Sequence, residues 1–270
     1  MEFAKFAIII PARFASTRYP GKPLVGLRGA GGTVKSLIQR SWECARAVNG
    51  NAGVWVATDD NRIAEEVSRF GGEFIMTSVD CANGTERCAE AAAMLGDVAD
   101  IFVNLQGDAP LSPTLAVEKI VERLQQDNEA AVSTPAIRCS SSMYLHLISD
   151  EAEGRVGGTT AVFNSAFRAL YFSKRILPFV PRTRAADEEN VPVCLHLGLY
   201  AYRRAALEKY CEAPASRLEQ MEGLEQLRFL ELELPVSVVE LDPLGWDVIE
   251  LNNPSDVPAI ERVLAERGID

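Results

Sequence analysis

The sequence predicts an α/β protein with a doubly wound, mostly parallel sheet and a small antiparallel extension. In the first half, short β-branched apolar runs alternate with segments whose apolar residues recur at helical spacing, and the connections between them are short. In the second half, two apolar runs at 158–163 and 168–172 flank an Asn-Ser turn. Strands that alternate with crossover helices favour parallel pairing, whereas runs joined by a tight turn favour antiparallel pairing.

Local patterns place the elements of the first half. The first strand, Phe6–Ile10, is a continuous apolar run that ends at Pro11, as expected of a strand buried on both faces. Gly31-Gly32 marks a turn before the first helix, and Thr58-Asp59-Asp60 provides a good start for the second. We expect strands at 6–10, 54–57, 73–76, 101–105 and 131–137, and helices at 33–48, 61–69, 87–95 and 113–124.

The second half is predicted in the same way. Leu218, Met221, Leu224 and Leu227 form an apolar stripe that predicts a helix over 216–228. Pro254 is suited to the first turn of a terminal helix. We expect strands at 158–163, 168–172, 196–202 and 236–241, helices at 216–228 and 254–267, and an exposed polar loop at 182–192.

Composition excludes several classes of function. The 270 residues fit one large domain or two small ones, and the net charge of −11 argues against non-specific nucleic-acid binding. We expect no membrane span and no signal peptide, because no apolar run is long enough and the first residues lead straight into a strand. The six cysteines show no C-x-x-C spacing, so free thiols in a cytosolic protein are expected.

The loop after the first strand carries the strongest functional signal. Arg13, Arg18 and Lys22 fall within ten residues, and small residues such as Ala15 and Gly21 lie between them. A cationic loop at the carboxyl end of a first strand is where α/β sheets bind phosphates, and three cations can offset a triphosphate. The loop matches neither the Walker A pattern nor G-x-G-x-x-G. The alternative is a solvated loop with scattered charges.

A second signal follows the fourth predicted strand, in Gln106-Gly107-Asp108-Ala109-Pro110. A carboxylate at a strand end, next to a glycine that allows close approach, is well placed to hold Mg²⁺. Triphosphate chemistry uses such an ion to offset charge on the phosphate oxygens. The alternative for Asp108 is a turn-forming role near Pro110.

Several of these motifs together resemble one family. Residues 11–24, Pro-Ala-Arg-Phe-Ala-Ser-Thr-Arg-Tyr-Pro-Gly-Lys-Pro-Leu, are very similar to the signature loop of the CMP-KDO synthetases, where KDO is 3-deoxy-D-manno-octulosonate. The Gly84-Thr85-Glu86-Arg87, Gln106-Gly107-Asp108, His196-Leu-Gly-Leu-Tyr200 and Glu222-to-Arg228 stretches also resemble that family. The resemblance covers residues 5 to 265.

The resemblance implies a Rossmann-like sheet of the nucleotidyltransferase type and a cytidylyltransferase activity. CTP and KDO would give CMP-KDO and pyrophosphate, with Mg²⁺ as cofactor. It implies one domain over 1–270, with a nucleotide-binding half at 1–140, a sugar-binding and dimerisation part at 141–240, and a C-terminal strand and helix at 241–270. A homodimer, a cytoplasmic location and a place in lipopolysaccharide biosynthesis are implied as well.

The resemblance also implies roles for individual residues. The catalytic residues would be Arg13, Arg18, Lys22 and Asp108. The nucleotide would be bound by Pro11, Ala12, Arg13, Thr77, Asn83, Gly84, Thr85, Arg87 and Gln106. The sugar would be bound by Gln106, Lys174, His196, Tyr200, Glu222 and Gln226, with Glu222 and Gln226 on one helical face. The metal would be held by Asp108 and Asn252.

Structural roles compete with some of these assignments. Asn83 or Thr85 could simply cap the helix that follows. A lone histidine such as His196 is more often a packed structural residue, and the glutamates of 216–228 are mostly suited to a solvated face. Neither histidine has a nucleophile partner in view, so covalent catalysis is not indicated.

Three departures from the family fall where ligands are expected. Asn252 occupies the position of the second metal carboxylate of a Val-Asp-Thr-Pro-Glu-Asp stretch, and Asp247 is a possible substitute. Residues 157–160 replace a family stretch that contains lysine, and Lys174 replaces an arginine for which Arg175 could compensate. These changes leave two alternatives open: a different ulosonic or nonulosonic acid as acceptor, or a nucleotide-binding homologue without turnover.

Overall fold

The computed structural model describes residues 4–15, 18–181, 191–246 and 248–270. Its strands are β1 Phe6–Ala12, β2 Gly26–Arg28, β3 Val34–Ser36, β4 Asn51–Thr58, β5 Glu73–Met76, β6 Ile101–Asn104, β7 Val132–Arg138, β8 Thr160–Phe163, β9 Ala169–Ser173, β10 Cys194–His196, β11 Tyr200–Arg203 and β12 Val236–Leu241. Its α-helices are α1 Leu37–Arg46, α2 Asn61–Arg69, α3 Gly84–Leu95, α4 Thr114–Gln126, α5 Ser141–Ala152, α6 Arg204–Glu212, α7 Arg217–Glu222, α8 Leu227–Glu231 and α9 Val257–Glu266.

One ten-stranded sheet organises the molecule, in the order β5-β4-β1-β6-β11-β7-β10-β8-β9, with β12 paired to β7. The pairs β5–β4, β4–β1 and β1–β6 are parallel, as the alternation of strands and helices predicted. The pairs that β11 makes with β6 and β7 are antiparallel, and so is the β8–β9 pair. The predicted α/β fold with a parallel core and an antiparallel extension is confirmed.

The strand order creates a crevice between β1 and β6. The chain moves outward from β1 through β4 to β5 and then crosses back to β6 on the other side of β1. Ligands of open α/β sheets bind at such a reversal, outside the carboxyl ends of the strands. The loops after β1 and β6 therefore face the position where a ligand is expected.

The strand β7 also has a special place, because three strands pair with it. Parallel β12 runs along one edge from Val132 to Ile137, so antiparallel β10 and β11 must share the other edge. The chain between them, 197–199, leaves the ladder. The predicted continuous strand over 196–202 is thus wrong: it is two short strands joined by an irregular segment, which lines the crevice.

Burial explains why β1 is a continuous apolar run. Ile8 and Ile10 belong to one hydrophobic core and Ala7 and Ile9 to another, and all four are fully buried. Successive side chains of a strand point to opposite faces, so the sheet is covered on both sides. Burying an isoleucine side chain contributes about 2–3 kcal/mol, which makes β1 a stable base for the loop that follows.

A third core attaches the C-terminal segment. Leu27, Leu251, Ile260 and Leu264 pack together, which joins α9 to the β2–β3 hairpin. Leu251 is fully buried there, and its N–H donates to the Asp108 carbonyl oxygen at 2.8 Å. The chain around residue 251 is therefore held against the loop that follows β6.

Some predicted elements differ from the observed ones. The helix expected from residue 33 begins at Leu37, because Val34–Ser36 pairs with Gly26–Arg28 and the Ser36 side chain caps the helix. Helices α5 and α6 were not predicted. Of the predicted polar loop 182–192, residues 182–190 lie outside the described part of the chain. None of the described helices is long and apolar enough to cross a membrane.

Candidate active site

A cleft of about 2450 Å³ opens at the crevice between β1 and β6. Its walls are formed by the loops after β1 and β6, the start of α3, the segment between β10 and β11, and residues 248–253. Many predicted site residues line it, namely Pro11, Ala12, Arg13, Arg18, Lys22, Asn83, Gly84, Arg87, Gln106, Asp108, His196, Tyr200, Gln226 and Asn252.

Lys22 joins three separate parts of the chain. Gly21 adopts a left-handed backbone conformation with φ of 70°, which turns the chain into the short 3₁₀ helix Lys22–Leu24. The Lys22 ammonium forms an ion pair with the Asp108 carboxylate and donates to the Leu251 carbonyl oxygen at 3.2 Å. The side chains of Lys22 and Asp108 remain 16% and 23% exposed, so both are reachable from the cleft.

The two arginines of the same loop are exposed. The Arg18 guanidinium donates to Asn252 Oδ1 at 3.0 Å. For the side chain of Arg13, we find no hydrogen bond or ion pair to any residue that the structure describes. Asp247, the predicted substitute for a metal carboxylate, lies outside the described residues.

Glu250 is a site residue that the sequence reasoning missed. It lines the cleft beside Asn252, whose Nδ2 donates to Glu250 Oε2 at 3.5 Å. Although Glu250 is exposed to the cleft, the surrounding protein and the negative charge of Asp108 raise the pKa of its carboxyl, while Lys22 and Arg18 act in the opposite direction. A signal was available, because Glu250 is separated by one apolar residue from Asn252.

This group of residues fits a divalent cation. The Lys22 ammonium occupies a position between the Asp108 carboxylate and a backbone carbonyl oxygen, both of which are typical oxygen ligands. Within the described ranges, no cluster of three or more His, Cys, Asp or Glu side chains could hold a metal alone. Mg²⁺ commonly takes one or two carboxylates and completes its shell with phosphate oxygens and water, so the site suits a cation that arrives with a phosphate ligand.

The loop before α3 is built to hold a small residue close to the sheet. The Asn83 side chain accepts from the Glu86 N–H at 2.9 Å and so caps α3, as the structural alternative predicted. A Cβ added to Gly84 would lie 3.3–3.5 Å from atoms of Asn104, Gln106 and Pro11. Three predicted nucleotide-binding residues, from three segments, therefore meet at one point.

Three other predicted nucleotide-binding residues are buried and hydrogen-bonded within the protein. Arg87 pairs with Asp59 at 2.9 Å and donates to Thr77 Oγ1 at 2.5 Å. Thr85 is fully buried, with its hydroxyl 2.9 Å from Tyr202 Oη. These contacts fix the loop, and a nucleotide contact of Thr77, Thr85 and Arg87 stays a prediction.

The opposite wall of the cleft is neutral and well packed. Thr134 donates its single hydroxyl hydrogen to the Leu199 carbonyl oxygen at 2.6 Å, so the 2.8 Å contact with His196 Nε2 has the imidazole as donor. Burial lowers the pKa of His196 to about 3, which keeps the ring neutral. The Tyr200 ring lies against the His196 ring in a tilted arrangement, with 5.3 Å between the centroids, and its hydroxyl donates to Gln226 Oε1 at 3.2 Å.

The predicted pairing of Glu222 and Gln226 on one helical face is wrong. Gly223 takes a left-handed conformation with φ of 61° and ends α7, and α8 begins only at Leu227. Glu222 instead accepts from the Ser173 hydroxyl at 2.8 Å and the Lys174 N–H at 3.0 Å. Neither Glu222 nor Lys174 is among the residues that line the cleft, so their predicted contact with the sugar stays a prediction.

The predicted compensation by Arg175 also finds no support in the observed contacts. Arg175 donates to Glu151 at 3.3 Å and is 76% exposed on the surface. Thr160, at the position of the missing lysine, is buried and donates to the Arg175 carbonyl oxygen at 2.6 Å. Thr160 is thus part of the packing between β8 and β9, whereas the other residues of the changed stretch, Gly157, Gly158 and Thr159, line the cleft.

Comparison with known proteins identifies the family of this chain. A family model described as cytidylyltransferase matches residues 7–236, which is most of the chain. The chain belongs to the cytidylyltransferase family. The protein is accordingly a nucleotidyltransferase enzyme, as the motifs around Lys22 and Asp108 indicated.

Individual cytidylyltransferases are similar in sequence to this chain along almost its full length. The 3-deoxy-manno-octulosonate cytidylyltransferase of Maricaulis maris is 42% identical, over 96% of this chain and 97% of that protein. The 8-amino-3,8-dideoxy-manno-octulosonate cytidylyltransferase of Shewanella sediminis is 36% identical, over 96% and 98%. A solved CMP:2-keto-3-deoxy-manno-octonic acid synthetase in complex with CTP superposes with a TM-score of 0.82, at 34% identity, over 98% of this chain and 100% of that one.

Proposed function

We propose that this cytidylyltransferase forms CMP-KDO from CTP and 3-deoxy-D-manno-octulosonate and releases pyrophosphate. The observation that carries the proposal is the contact of Lys22, from the cationic loop after β1, with Asp108 across the crevice. This contact brings an ammonium group, proposed to bind phosphate, next to a carboxylate, proposed to bind the cation. The similarity to 3-deoxy-manno-octulosonate cytidylyltransferases supports the choice of acceptor.

The reaction joins the anomeric oxygen of the sugar acid to the α-phosphorus of CTP. The new O–P bond forms as the bond between the α-phosphorus and the bridging oxygen breaks, pyrophosphate leaves, and the hydroxyl proton passes to solvent. Arg13, Arg18 and Lys22 bind the phosphate oxygens and stabilise the leaving pyrophosphate. Catalysis of this kind is mainly positioning and charge neutralisation, so a strong general base is not required.

Asp108 would hold Mg²⁺ in this scheme, together with oxygens of the triphosphate. When bound, the ion offsets the charge that grows on the phosphate oxygens. The Lys22 ammonium would then leave its ion pair with Asp108 and pair with phosphate oxygens, since it pairs with whichever anion lies nearest. The exposure of both side chains allows that exchange.

The neutral wall opposite is proposed to bind the acceptor. His196, Tyr200 and Gln226 present hydrogen-bonding groups that carry no charge at physiological pH, which suits the hydroxyl groups of a sugar. The Gln106 side chain, from the loop after β6, lies close to both Gly198 on this wall and Gly84 at the start of α3. It is proposed to contact both nucleotide and sugar.

A sugar acid with an amino group is the second candidate acceptor. Relatives at 36% identity are named 8-amino-3,8-dideoxy-manno-octulosonate cytidylyltransferases. In this chain, residues 157–160 lack the lysine of the KDO-type stretch, and three of them, Gly157, Gly158 and Thr159, line the cleft, so loss of that cation favours an acceptor that brings its own positive charge.

Pyrophosphate release tests the acceptor and the nucleotide together. We expect turnover with CTP but not with ATP, GTP or UTP, and with KDO faster than with its 8-amino analogue. Faster turnover with the amino sugar would show that the acceptor is the 8-amino analogue instead of KDO, and the proposed reaction type would stand. Tight CTP binding without turnover on any acid sugar would contradict the proposal and favour a regulatory homologue.

We further propose a cytoplasmic homodimer that serves lipopolysaccharide biosynthesis. Large apolar side chains are exposed on α5 and near β9, with Leu145 and Ile148 on α5 and Leu170 and Phe179 near β9. Covering such a surface removes apolar area from water. Light scattering after size-exclusion chromatography should give twice the chain mass of 29.5 kDa; a mass of one chain at micromolar concentration would contradict the dimer.

A further inference from the structure

We infer that the Glu250 carboxylate, and not the Asn252 amide oxygen, is the second protein ligand to the divalent cation beside Asp108. The inference rests on the proposed function, which requires a cation at Asp108. It concerns a residue that the family pattern does not mark, because in that pattern the carboxylate stands at the position of Asn252.

The backbone around residue 251 brings Glu250 to the cleft. Leu251 points into the C-terminal core and is fully buried, and its N–H donates to the Asp108 carbonyl oxygen at 2.8 Å. The residues on either side of Leu251, Glu250 and Asn252, both line the cleft. Their side chains are in contact at 3.5 Å, so they share the cleft side.

This geometry explains how the carboxylate can stand two positions earlier in this sequence than in the family pattern and still reach the same site. Positions two apart in extended chain lie on the same side, and glutamate is one methylene longer than aspartate. Glu250 also faces the charges of Asp108, Lys22 and Arg18. Its Oε1 lies 3.6 Å from the position of a Cβ on Gly198, which also lines the cleft.

Asn252 is engaged elsewhere. Its Oδ1, the one side-chain atom that could ligate a hard cation, accepts from Arg18 at 3.0 Å. Its backbone N–H donates to Asp256 at 2.9 Å, which fixes the residue at the start of the terminal helix. Asn252 thus orients an arginine of the phosphate-binding loop.

The charge balance points to the same assignment. Asp108 and Glu250 bring two negative charges together, and the Lys22 ammonium offsets part of that charge through its ion pair with Asp108. A divalent cation with carboxylate ligands from both residues would neutralise the pair and release Lys22 for the triphosphate. Asn252 would supply no charge, so Asp108 alone would otherwise face the cation.

Mn²⁺ binding to the full chain saturated with CTP tests the inference, with free Mn²⁺ followed by electron paramagnetic resonance. We expect Glu250→Gln to weaken Mn²⁺ binding about tenfold or more. The swap Glu250→Gln with Asn252→Asp should recover most of that loss, because it restores two carboxylates. Glu73→Gln, an exposed glutamate on β5 outside the cleft, is the matched control and should bind Mn²⁺ as the wild type does.

The outcomes separate this inference from the proposed function. Mn²⁺ affinity of Glu250→Gln within about twofold of wild type would overturn the role of Glu250 and leave the proposed function intact. CTP binding is measured separately by calorimetry in the presence of Mg²⁺, and a wild-type protein that binds no CTP under that condition would overturn both. Circular dichroism spectra of the variants should match wild type, since Glu250 is exposed to the cleft.

Discussion

The two walls of the cleft are built in opposite ways. The phosphate wall, which consists of Arg13, Arg18, Lys22, Asp108, Glu250 and Asn252, is charged and reachable by solvent. Two of its contacts, Lys22–Asp108 and Arg18–Asn252, join residues 86 and 234 positions apart. The acceptor wall, which consists of His196, Tyr200 and Gln226, is neutral and held by internal hydrogen bonds and ring contacts. The charged groups of the first wall can gain further partners from an ionic ligand, whereas the groups of the second wall are already fixed by contacts within the protein.

The difference has a physical origin. Exposed charges are solvated at little cost until a ligand displaces the water, and an ionic ligand then gains most from them. Neutral groups can be buried once they are hydrogen-bonded, so they can be fixed in advance. Changes to the phosphate wall should therefore affect catalysis more than stability, and changes behind the acceptor wall should do the reverse.

Asp108→Asn gives the sharpest test of the phosphate wall. We expect kcat/KM to fall about 10³-fold, equivalent to about 4 kcal/mol, because the cation loses a charged ligand. The free energy of unfolding should change by less than about 1 kcal/mol, since the Lys22–Asp108 pair is partly exposed. Steady-state pyrophosphate release measures kcat/KM, and urea denaturation measures the free energy of unfolding. A large loss of stability with little loss of rate would contradict the view that the phosphate wall affects catalysis more than stability.

Arg228→Met tests the packing behind the acceptor wall. Arg228 is buried, makes two 2.7 Å hydrogen bonds to Glu219, and lies 3.9 Å above the Tyr210 ring. We expect a loss of about 3 kcal/mol in the free energy of unfolding, because Glu219 is left without its buried partner. Urea denaturation measures it.

The control for Arg228→Met is Arg62→Met, which removes an exposed arginine from its pair with Asp60. That variant should lose less than about 1 kcal/mol. Equal losses in the two variants would contradict the view that burial, and not the ion pair itself, sets the cost.

The pH dependence of stability tests the neutrality of the acceptor wall. The pKa of His196 is lowered to about 3 in the folded protein, while an unfolded histidine titrates near 6.5. Between those values the unfolded chain binds the extra proton, so stability falls as the pH falls from 6.5 towards 3. His196→Gln should lose about 2 kcal/mol less than wild type between pH 7 and pH 5.

The second histidine provides the control for that experiment. The protein has only two histidines, and the side chain of His146 is 78% exposed. His146→Gln should keep the pH dependence of the wild type in urea denaturation at both pH values. A His196→Gln profile that matches wild type would show that the ring is charged or solvated in the fold.

Arg18→Ala should have the smallest effect. Arg18 is exposed, and its partner among the described residues is a neutral amide oxygen, so its removal should raise the KM for CTP about fivefold, or about 1 kcal/mol. Stability should stay within about 0.5 kcal/mol of wild type. Arg69→Ala, an exposed arginine on α2, is the control and should leave the KM unchanged.

The fold and the phosphate wall were predictable from sequence because their signals are local. The strand at 73–76, the helix at 61–69 and the strand at 236–241 agree with the observed β5, α2 and β12. The cationic loop and Asp108 each follow a buried strand directly. The carboxyl ends of neighbouring parallel strands meet at one edge, so their convergence could be foreseen.

The acceptor wall was harder to predict because tertiary contacts decide it. The spacing of the neighbouring apolar residues predicted that Gly223 lies inside a helix. Gly223 instead adopts a left-handed conformation that ends α7, so Glu222 and Gln226 do not share a helix. Helical spacing alone does not reveal such a break. Glu250 was missed for a related reason: its position depends on Leu251 packing against a core whose other members are distant in sequence.

A crystal structure with CTP and Mn²⁺, with the metal located by anomalous scattering, tests the central claim most directly. We expect the triphosphate against the loop of Arg13, Arg18 and Lys22, and a manganese peak within coordination distance of the Asp108 carboxylate. Triphosphate density outside this loop, or a protein-bound metal that does not contact Asp108, would contradict the account.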